Sequence, residues 1–429
     1  MSQPLDPRAW QAMLEGFNVQ IADDAHSANA ITFDSREVNA TTAFAALQGE
    51  KRHGNDFIAA ALGAGAPFVL SDQDVPRAVK VSDATAALRG WARAWRDLSE
   101  ATLIGVTGSA GKTTAKEFIA AAIGGGKTPG NLNTLNYLAC YLLSHVAPHS
   151  RHVIEMGIDR IGEMDELTAL IAPDIGVITN VGAAHLEFFG DLETIAFEKG
   201  RILTAPEQLV SSTVAWRYPG VPSYGFGEGA THRGTNLELT DSSAKFQFAG
   251  LEVEIASPSE KVAEAAVLAL AIAERFNLPL EDAAKRLQSL EVPGGRMRLE
   301  RGRYTLIDDT YNANPLSVTA ALETLARQPG RRIAVLGDMR ELGHDAPTYH
   351  REVGAAAAKA AQLLIAVGHH AGDYASGARD ANLETLEFAD TKAATVALLE
   401  HLEDHDTILV KGSKAVGLGA VAEVIRERL

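Results

Sequence analysis

A glycine-rich stretch that follows a largely apolar run constrains this chain more than any other feature. The apolar run covers residues 101–106, and residues 115–123 beyond the glycines have the composition of a helix. Between them lie the residues of a phosphate-binding turn, which are Gly108, Gly111, Lys112, Thr113 and Thr114. An order of strand, glycine turn and helix is typical of a P-loop. Its backbone N–H groups and the positive end of the helix dipole face a polyanion.

The residues that close this turn indicate ATP with Mg²⁺. A lysine at position 112 can reach the outer phosphates, and the Thr113 hydroxyl can ligate Mg²⁺. The strict motif has a glycine where this chain has Val106, so we predict a variant of the P-loop. A plain glycine turn is the alternative, but it does not account for the Gly-Lys-Thr-Thr sequence. The predicted nucleotide contacts from this segment are Gly108, Ser109, Ala110, Gly111, Lys112, Thr113 and Thr114.

Length and charge limit the classes of protein that this chain can belong to. A chain of 429 residues is expected to form two or three domains. The net charge of −16 argues against nucleic acid or an anionic membrane as a bulk partner. The single cysteine, Cys140, excludes an internal disulfide and fits a reducing cytoplasm. No apolar run reaches the roughly 18 residues of a membrane span, and the first residues predict no secretion signal.

The alternation of strands and helices predicts an α/β fold with three units. Residues 1–98 form a small α/β domain with short strands. Residues 99–295 open with the P-loop and contain four further strand-like runs, which with the helices between them predict a mostly parallel sheet. Those runs are 153–156, 175–180, 209–212 and 251–255. Residues 296–429 have strands that end in glycine, which indicates a Rossmann-like sheet, but without the Gly-x-Gly-x-x-Gly of a dinucleotide site.

A few polar residues at predicted strand ends are candidates for a site. Glu155 follows an apolar strand, where a carboxylate suits a hard cation, although a solvent-facing glutamate is the alternative. A lone histidine such as His185 is more often structural or solvated, and Lys199 has the setting of an ordinary surface lysine. Ser35 and Arg36 can hold a phosphate or a sugar, but a solvated turn explains them equally well.

Several ordered stretches resemble the Mur ligase family, and within it the MurF-type branch. They cover nearly the whole chain and are residues 34–36, 107–114, 128–133, 154–163, 308–315, 336–343 and 411–414. The resemblance implies an ATP-dependent ligase that joins D-alanyl-D-alanine to UDP-N-acetylmuramoyl-tripeptide (UDP-MurNAc-tripeptide) through an acyl phosphate. The product would be the pentapeptide precursor of peptidoglycan. It further implies a cytoplasmic protein, and we expect a monomer.

The same resemblance implies three domains and assigns roles in the chemistry. The first domain would bind the UDP-sugar, the central one ATP, and the Rossmann-like one the incoming dipeptide. Lys112 would contact the outer phosphates, and Thr113 and Glu155 would hold one Mg²⁺. His185 would serve a second metal ion, and Lys199 matches a lysine that family members carboxylate with CO₂. Lys112, His185 and Lys199 are thus the predicted catalytic residues.

The resemblance also implies contacts at the two ends of the substrates. Arg296 matches an arginine that contacts ATP, and Asp309 an aspartate that meets the ribose across the domain cleft. Ser35 and Arg36 would lie at the uridine-diphosphate end. Near residue 262, related enzymes often have His-Asn and then Asn-Ala where this chain has Glu260-Lys261 and Glu264-Ala265. An asparagine that faces adenine is therefore absent.

Three alternatives stay open at the level of sequence. A sibling ligase would add a single amino acid instead of a dipeptide, and folylpolyglutamate synthetase is a more distant relative. The stretches 308–315 and 338–343 argue against the latter. A protein that closes on ATP without ligation is a different class, which the set of Glu155, His185 and Lys199 disfavours. The third residue of the accepting peptide can be diaminopimelate, lysine or ornithine.

Overall fold

The chain folds around four β-sheets in a computed structural model that describes residues 4–49, 51–290 and 294–429. The predicted first and second units include residues 1–3, 50 and 291–293, which lie outside the described residues. The predicted boundaries after residues 98 and 295 stay predictions. In the described part of the chain, no helix has both the length and the apolar character needed to cross a bilayer.

The first sheet has five short strands in the order β1-β5-β4-β3-β2. Only β1 is antiparallel to its neighbour. The strands are β1 Gln20–Ile21, β2 Ala30–Thr32, β3 Thr42–Ala45, β4 Val69–Ser71 and β5 Ala78–Lys80. The helices of this part are α1 Ile58–Gly63 and α2 Ala84–Ser99. These elements confirm the α/β character and the short strands that the sequence predicts in this region.

The second sheet has seven strands, all parallel, in the order β12-β11-β10-β9-β6-β8-β7. They are β6 Thr102–Thr107, β7 Gly126–Lys127, β8 Arg151–Glu155, β9 Ile175–Ile178, β10 Glu207–Ser211, β11 Ser223–Gly225 and β12 His232–Arg233. Its helices are α3 Lys112–Ile123, α4 Leu135–His145, α5 Glu163–Ile171, α6 Leu186–Phe189, α7 Leu192–Gly200, α8 Glu260–Arg275 and α9 Leu280–Gln288. The prediction of a mostly parallel central sheet is therefore confirmed.

One predicted strand of the central unit belongs to a different sheet. Residues 251–255 do form a strand, but it pairs antiparallel in a separate three-stranded sheet and not in the parallel one. That sheet consists of β13 Thr235–Leu239, β14 Ala244–Phe248 and β15 Leu251–Ile255. Short turns join its strands, and hairpin connections of this kind force antiparallel pairing. Its buried side chains pack with α8, whose residues 262–273 are all buried.

The last sheet has six strands in the order β16-β17-β21-β18-β19-β20, of which only β16 is antiparallel. They are β16 Arg298–Arg301, β17 Thr305–Asp309, β18 Arg332–Gly337, β19 Leu363–Val367, β20 Glu384–Phe388 and β21 Thr407–Lys411. Its helices are α10 Pro315–Ala326, α11 Ala346–Ala357, α12 Ala371–Asp380, α13 Thr391–His401 and α14 Gly419–Arg426. The wound parallel arrangement confirms the Rossmann-like prediction.

Helix α2 attaches the first sheet to the central one. The ring of Trp95 stacks on Trp10 at 4.7 Å, and its Nε1 donates to the carbonyl of Val146. Arg96 is buried and donates to Asp174 Oδ2 at 2.7 Å. These contacts combine aromatic burial with a charged hydrogen bond, so they hold the two parts in a defined orientation.

Candidate active site

The P-loop lies between the end of β6 and the first residue of α3. Gly111 has a φ of 75°, a conformation that glycine adopts without strain. A Cβ on Gly108 would lie 1.9 Å from Thr179 Oγ1, so only glycine fits there. Val106, which replaces the first glycine of the strict motif, is a fully buried residue of β6. The first glycine of the strict motif is therefore absent because strand β6 continues to Thr107, one residue beyond Val106.

Asn180, at the end of β9, holds the middle of the loop in place. Its Oδ1 accepts from the backbone N–H of Ala110 at 2.8 Å, and its Nδ2 donates to the carbonyl of Ala110 at 2.8 Å. The Ser109 hydroxyl exchanges hydrogen bonds of 2.9 Å with the backbone of Gly182. The loop is thus held by the neighbouring strand end, which is the edge where parallel sheets bind ligands.

Oxygen and nitrogen side chains converge beside the loop at the end of β8. Thr113 Oγ1 donates to Glu155 Oε2 at 2.7 Å, and both residues are buried. Lys116 is fully buried, with its Nζ 3.4 Å from the same Oε2 and bonded to the carbonyl of Gly130. Lys112 Nζ donates to the carbonyl of Gly108 at 2.7 Å. The hydroxyl and the carboxylate are the hard donors that fit Mg²⁺.

Burial lowers the pKa of Lys112, and the nearby Glu155 carboxylate opposes that shift. Lys199, near the end of α7, is 2% exposed. Its pKa lies well below the usual range, because burial disfavours the ammonium and the Lys112 charge adds repulsion. A buried amine with a lowered pKa is the neutral form that carbamate formation requires. The structure therefore contradicts the view of Lys199 as an ordinary surface lysine.

His185 lies just before α6 with a φ of 58°. Its Nδ1 is 2.5 Å from Glu341 Oε2 of the C-terminal unit, an ion-pair contact without the alignment of a hydrogen bond. Burial is the main cause that lowers its pKa, which the Lys112 and Lys199 charges lower further. The Glu341 carboxylate opposes this lowering, so the ring nitrogen is held against a carboxylate of the C-terminal unit. No three His, Cys, Asp or Glu side chains converge as a metal cluster anywhere in the described residues.

The C-terminal unit closes the space above the P-loop. The Arg296 guanidinium lies 3.7 Å from the centroid of the Tyr311 ring. Asp309 is buried, and its Oδ2 accepts from Lys411 Nζ at 2.6 Å while its Oδ1 accepts from the Met297 N–H. Burial raises the pKa of the Asp309 carboxyl, and Lys411 opposes the shift. Asp309 is therefore one partner of a buried ion pair in the cavity wall.

One cavity of about 300 Å³ brings these groups together. Its wall includes the predicted residues Ser109 to Thr114, Glu155, Arg296 and Asp309. At the other end it is lined by Tyr224 of β11 and by Lys261 and Glu264 of α8. Lys261 Nζ lies 3.0 Å from Glu264 Oε1, and burial is the main cause that raises the pKa of Glu264. An ion pair thus lies in this part of the cavity wall.

Five predicted site residues lie outside the lining of this cavity, and one of them is Gly108 of the P-loop itself. His185 and Lys199 are close enough to Lys112 for its charge to lower their pKa values, but neither lines the cavity wall. Ser35 and Arg36 follow β2 in the first unit. Arg36 is largely exposed and forms an ion pair with Asp34 at 2.5 Å. Ser35 and Arg36 are therefore not part of the cavity that the P-loop lines.

Sequence reasoning assigned no role to Lys116, Lys411 or Asn314. All three are buried polar groups that contact predicted site residues. Lys411 and Asn314 lie in stretches that carry the family resemblance, but the resemblance does not indicate which residues they contact. For Lys116, the only signal is its place one turn after Lys112 on the same helix, because residues four apart share a helix face.

Comparison with known proteins identifies the family. Descriptions of the Mur ligase family, catalytic domain, the Mur ligase middle domain, and the Mur ligase, glutamate ligase domain match residues 27–117, 106–273 and 295–414. The UDP-N-acetylmuramoyl-tripeptide–D-alanyl-D-alanine ligase of Synechocystis sp. is 35% identical, with 92% of this chain and 91% of the relative aligned. The enzyme of that name from Escherichia coli is 32% identical over 93% and 94% of the two chains.

Solved structures agree with these matches. A crystal structure of MurF from Acinetobacter baumannii superposes with a TM-score of 0.88 and 27% identity, covering 99% of both chains. A MurF ligase from Thermotoga maritima in complex with ADP superposes with a TM-score of 0.81 and 26% identity, covering 93% of this chain and 98% of that one. The chain spans nearly the full length of these relatives and belongs to the Mur ligase family, in its MurF branch.

Proposed function

We propose that this chain is an ATP-dependent ligase that joins D-alanyl-D-alanine to UDP-MurNAc-tripeptide, giving the pentapeptide precursor of peptidoglycan. One observation carries the proposal. A single cavity of about 300 Å³ is lined both by the P-loop and by Arg296 and Asp309 of the C-terminal unit. A site divided between two units suits a reaction in which one unit activates the acid and the other delivers the amine. The relatives that carry this name align over nearly their whole length.

The reaction has two steps. A carboxylate oxygen of the tripeptide attacks the γ-phosphorus of ATP, the bond to the β-phosphate oxygen breaks, and ADP leaves an acyl phosphate. The neutral amine of D-alanyl-D-alanine then attacks the acyl carbon, and the tetrahedral intermediate expels inorganic phosphate and loses a proton. Lys112 would offset negative charge on the moving phosphoryl group, which is a large term in such reactions. Exclusion of water by the closed cavity would protect the acyl phosphate.

The hard donors beside the P-loop support Mg²⁺ as the cation of the site. Thr113 and Glu155 would hold one ion, and His185 would serve a second. When bound, Mg²⁺ neutralises phosphate charge and orients the triphosphate. Lys116 would keep the Glu155 carboxylate turned toward Thr113, because its ammonium lies 3.4 Å from the same oxygen.

We further propose that Lys199 is carboxylated by CO₂. The lone pair of its neutral amine attacks the carbon of CO₂, and one proton is lost as the carbamate forms. Burial and the Lys112 charge both favour the neutral amine, which supports this chemistry at neutral pH. The carbamate is an anion, which can orient the metal site served by His185.

The ends of the substrates would be held by different units. ATP would extend from the P-loop to Tyr224, Lys261 and Glu264, with Asp309 near the ribose and Arg296 against the nucleotide. Ser35 and Arg36 would bind the uridine diphosphate, and the C-terminal unit, residues 296–429, the incoming dipeptide. The first unit would be residues 1–98 and the ATP-binding unit residues 99–295.

The proposal is tested by following phosphate release and the peptide product together. We expect ADP, phosphate and a UDP-linked pentapeptide only when ATP, UDP-MurNAc-tripeptide and D-alanyl-D-alanine are all present, with mass spectrometry identifying the product. Turnover with a single amino acid but not with the dipeptide would assign the chain to a sibling ligase. Tight ATP binding without turnover would favour a nucleotide-gated binding protein.

The same assay identifies the third residue of the accepting peptide. Tripeptides that end in diaminopimelate, lysine or ornithine are compared at equal concentration, and the preferred one has the highest kcat/KM. A cytoplasmic location and a monomeric state complete the proposal. Cell fractionation checks the first, and light scattering during gel filtration checks the second.

A further inference from the structure

The Asn314 side chain makes two hydrogen bonds that belong to different parts of the molecule. It precedes α10, where its Oδ1 accepts from the Ser317 N–H at 2.9 Å and caps the helix. Its Nδ2 donates to the carbonyl of Ser109 in the P-loop at 3.0 Å. The residue is 7% exposed. One buried amide therefore joins the first turn of a C-terminal helix to the backbone of the phosphate-binding loop.

The surroundings of this amide form a continuous contact between the two units. Ser109 is itself bonded to Gly182 through its hydroxyl. A Cβ on Gly182 would lie 3.2 Å from Leu316 Cδ2, so α10 packs closely on the loop after β9. Further along that loop, the Glu187 N–H donates to the carbonyl of Glu341 at 3.1 Å. The C-terminal unit thus rests on the P-loop and on residues 182–187.

We propose that Asn314 is a positioning residue that holds the C-terminal unit on the P-loop, so that the amine reaches the acyl phosphate before water does. The inference rests on the proposed function. Its physical basis is that the oxygen and the nitrogen of the Asn314 amide make different hydrogen bonds. The oxygen stabilises α10, whereas the nitrogen makes the bond between the units. Loss of the second bond loosens docking without removing the helix cap.

The two bonds can be separated by substitution. Serine is as good a helix cap as asparagine, but its short hydroxyl does not reach as far as the amide nitrogen. Aspartate also caps well and has no donor when ionised. Asn314→Ser and Asn314→Asp therefore keep the first bond and lose the second. Asp390→Ala is the control, because Asp390 caps α13 by accepting from the Ala393 N–H, and its side chain makes no hydrogen bond to another unit among the described residues.

The experiment measures phosphate released per amide formed, in the full-length protein with saturating substrates. The wild type should release about one phosphate per amide, because each acyl phosphate is consumed by the amine. In Asn314→Ser, the ratio should rise about fivefold, since water hydrolyses the acyl phosphate back to carboxylate and phosphate while docking is weak. Asp390→Ala should lower the melting temperature and leave the ratio at about one.

Two results would decide against the inference. A ratio that stays at the wild-type value in both Asn314 variants, with the two rates falling together, would mean that the residue only stabilises the fold. If Asn314→Ser fails to fold, the aspartate variant decides in the same way. Absence of phosphate release in the wild type with both substrates would instead overturn the proposed function. The two failures are therefore distinguishable.

Discussion

The two ends of the central cavity are built in different ways. The P-loop end consists of consecutive residues, Ser109 to Thr114, with Glu155 beside them, and it offers backbone N–H groups and charged side chains. The α8 end is formed by Tyr224, Lys261 and Glu264, which come from a strand and a helix far apart in the sequence. We infer that the P-loop end lowers the barrier to phosphoryl transfer. The α8 end contributes to the binding of ATP, and we expect substitutions there to have small effects.

The strongest test of this comparison is the substitution Lys112→Met. Loss of the ammonium that we propose faces the outer phosphates should lower kcat by about a thousandfold, because charge developing on the phosphoryl group loses its partner. The rate of phosphate release gives the measurement. Lys285→Met, at a largely exposed position on α9, is the matched control and should retain full activity. A Lys112 variant within tenfold of the wild type would contradict this role.

The next effect concerns Lys199, which is buried outside the cavity lining. Lys199→Ala should lower activity by about 10- to 100-fold, as expected for a group that orients a metal ligand. Lys199→Arg keeps a positive charge but forms no carbamate, so it should lose activity as well. Acetate or another short carboxylic acid should partly restore the alanine variant. Full activity without the lysine would exclude the carbamate and leave the ligase proposal intact.

The pH dependence of the free energy of unfolding tests the burial of a histidine on the strand that carries Glu155. His152 lies on β8, is buried, and has Nδ1 2.7 Å from Tyr141 Oη. Burial is the main cause that lowers its pKa from 6.5 to about 4. The unfolded chain therefore binds a proton that the folded chain does not, and the free energy of unfolding should fall by about 3 kcal/mol as pH drops from about 6.5 to 4.

Urea unfolding at a series of pH values provides this measurement. His152→Gln removes the titrating ring and should flatten the pH dependence by that amount. His149→Gln, at an exposed position near the same strand, is the control and should leave the slope unchanged. An unchanged slope in His152→Gln would show that the ring does not titrate in this range.

The smallest expected effect is at the α8 end. Glu264→Gln preserves shape and removes the charge paired with Lys261, so we expect the KM for ATP to change by less than about threefold, with kcat unchanged. Initial rates at varied ATP concentration measure both constants. A change in kcat of tenfold or more would break the comparison, because this end would then act in the chemical step.

Much of the fold follows from local patterns. The apolar runs at residues 332–337 and 407–411 predict strands and residues 315–326 predict a helix, and β18, β21 and α10 have those bounds. Local patterns did not reveal the sheet to which β15 belongs, because pairing depends on neighbours outside the strand. The weakly apolar residues 384–388 predict no strand by themselves, yet they form β20. Its residues alternate between exposed and half-buried positions at the edge of the sheet.

The sequence alone determined the phosphate-binding loop, since glycines, lysine and threonine act there through consecutive backbone and side-chain groups. It also determined the family, because several ordered stretches carry that resemblance. Only the tertiary structure decided that Lys199 is buried, that Asp309 pairs with Lys411, and that Asn314 reaches the P-loop. Burial and contacts between residues about 100 to 200 positions apart depend on how the units pack. No local pattern of residue types encodes that packing.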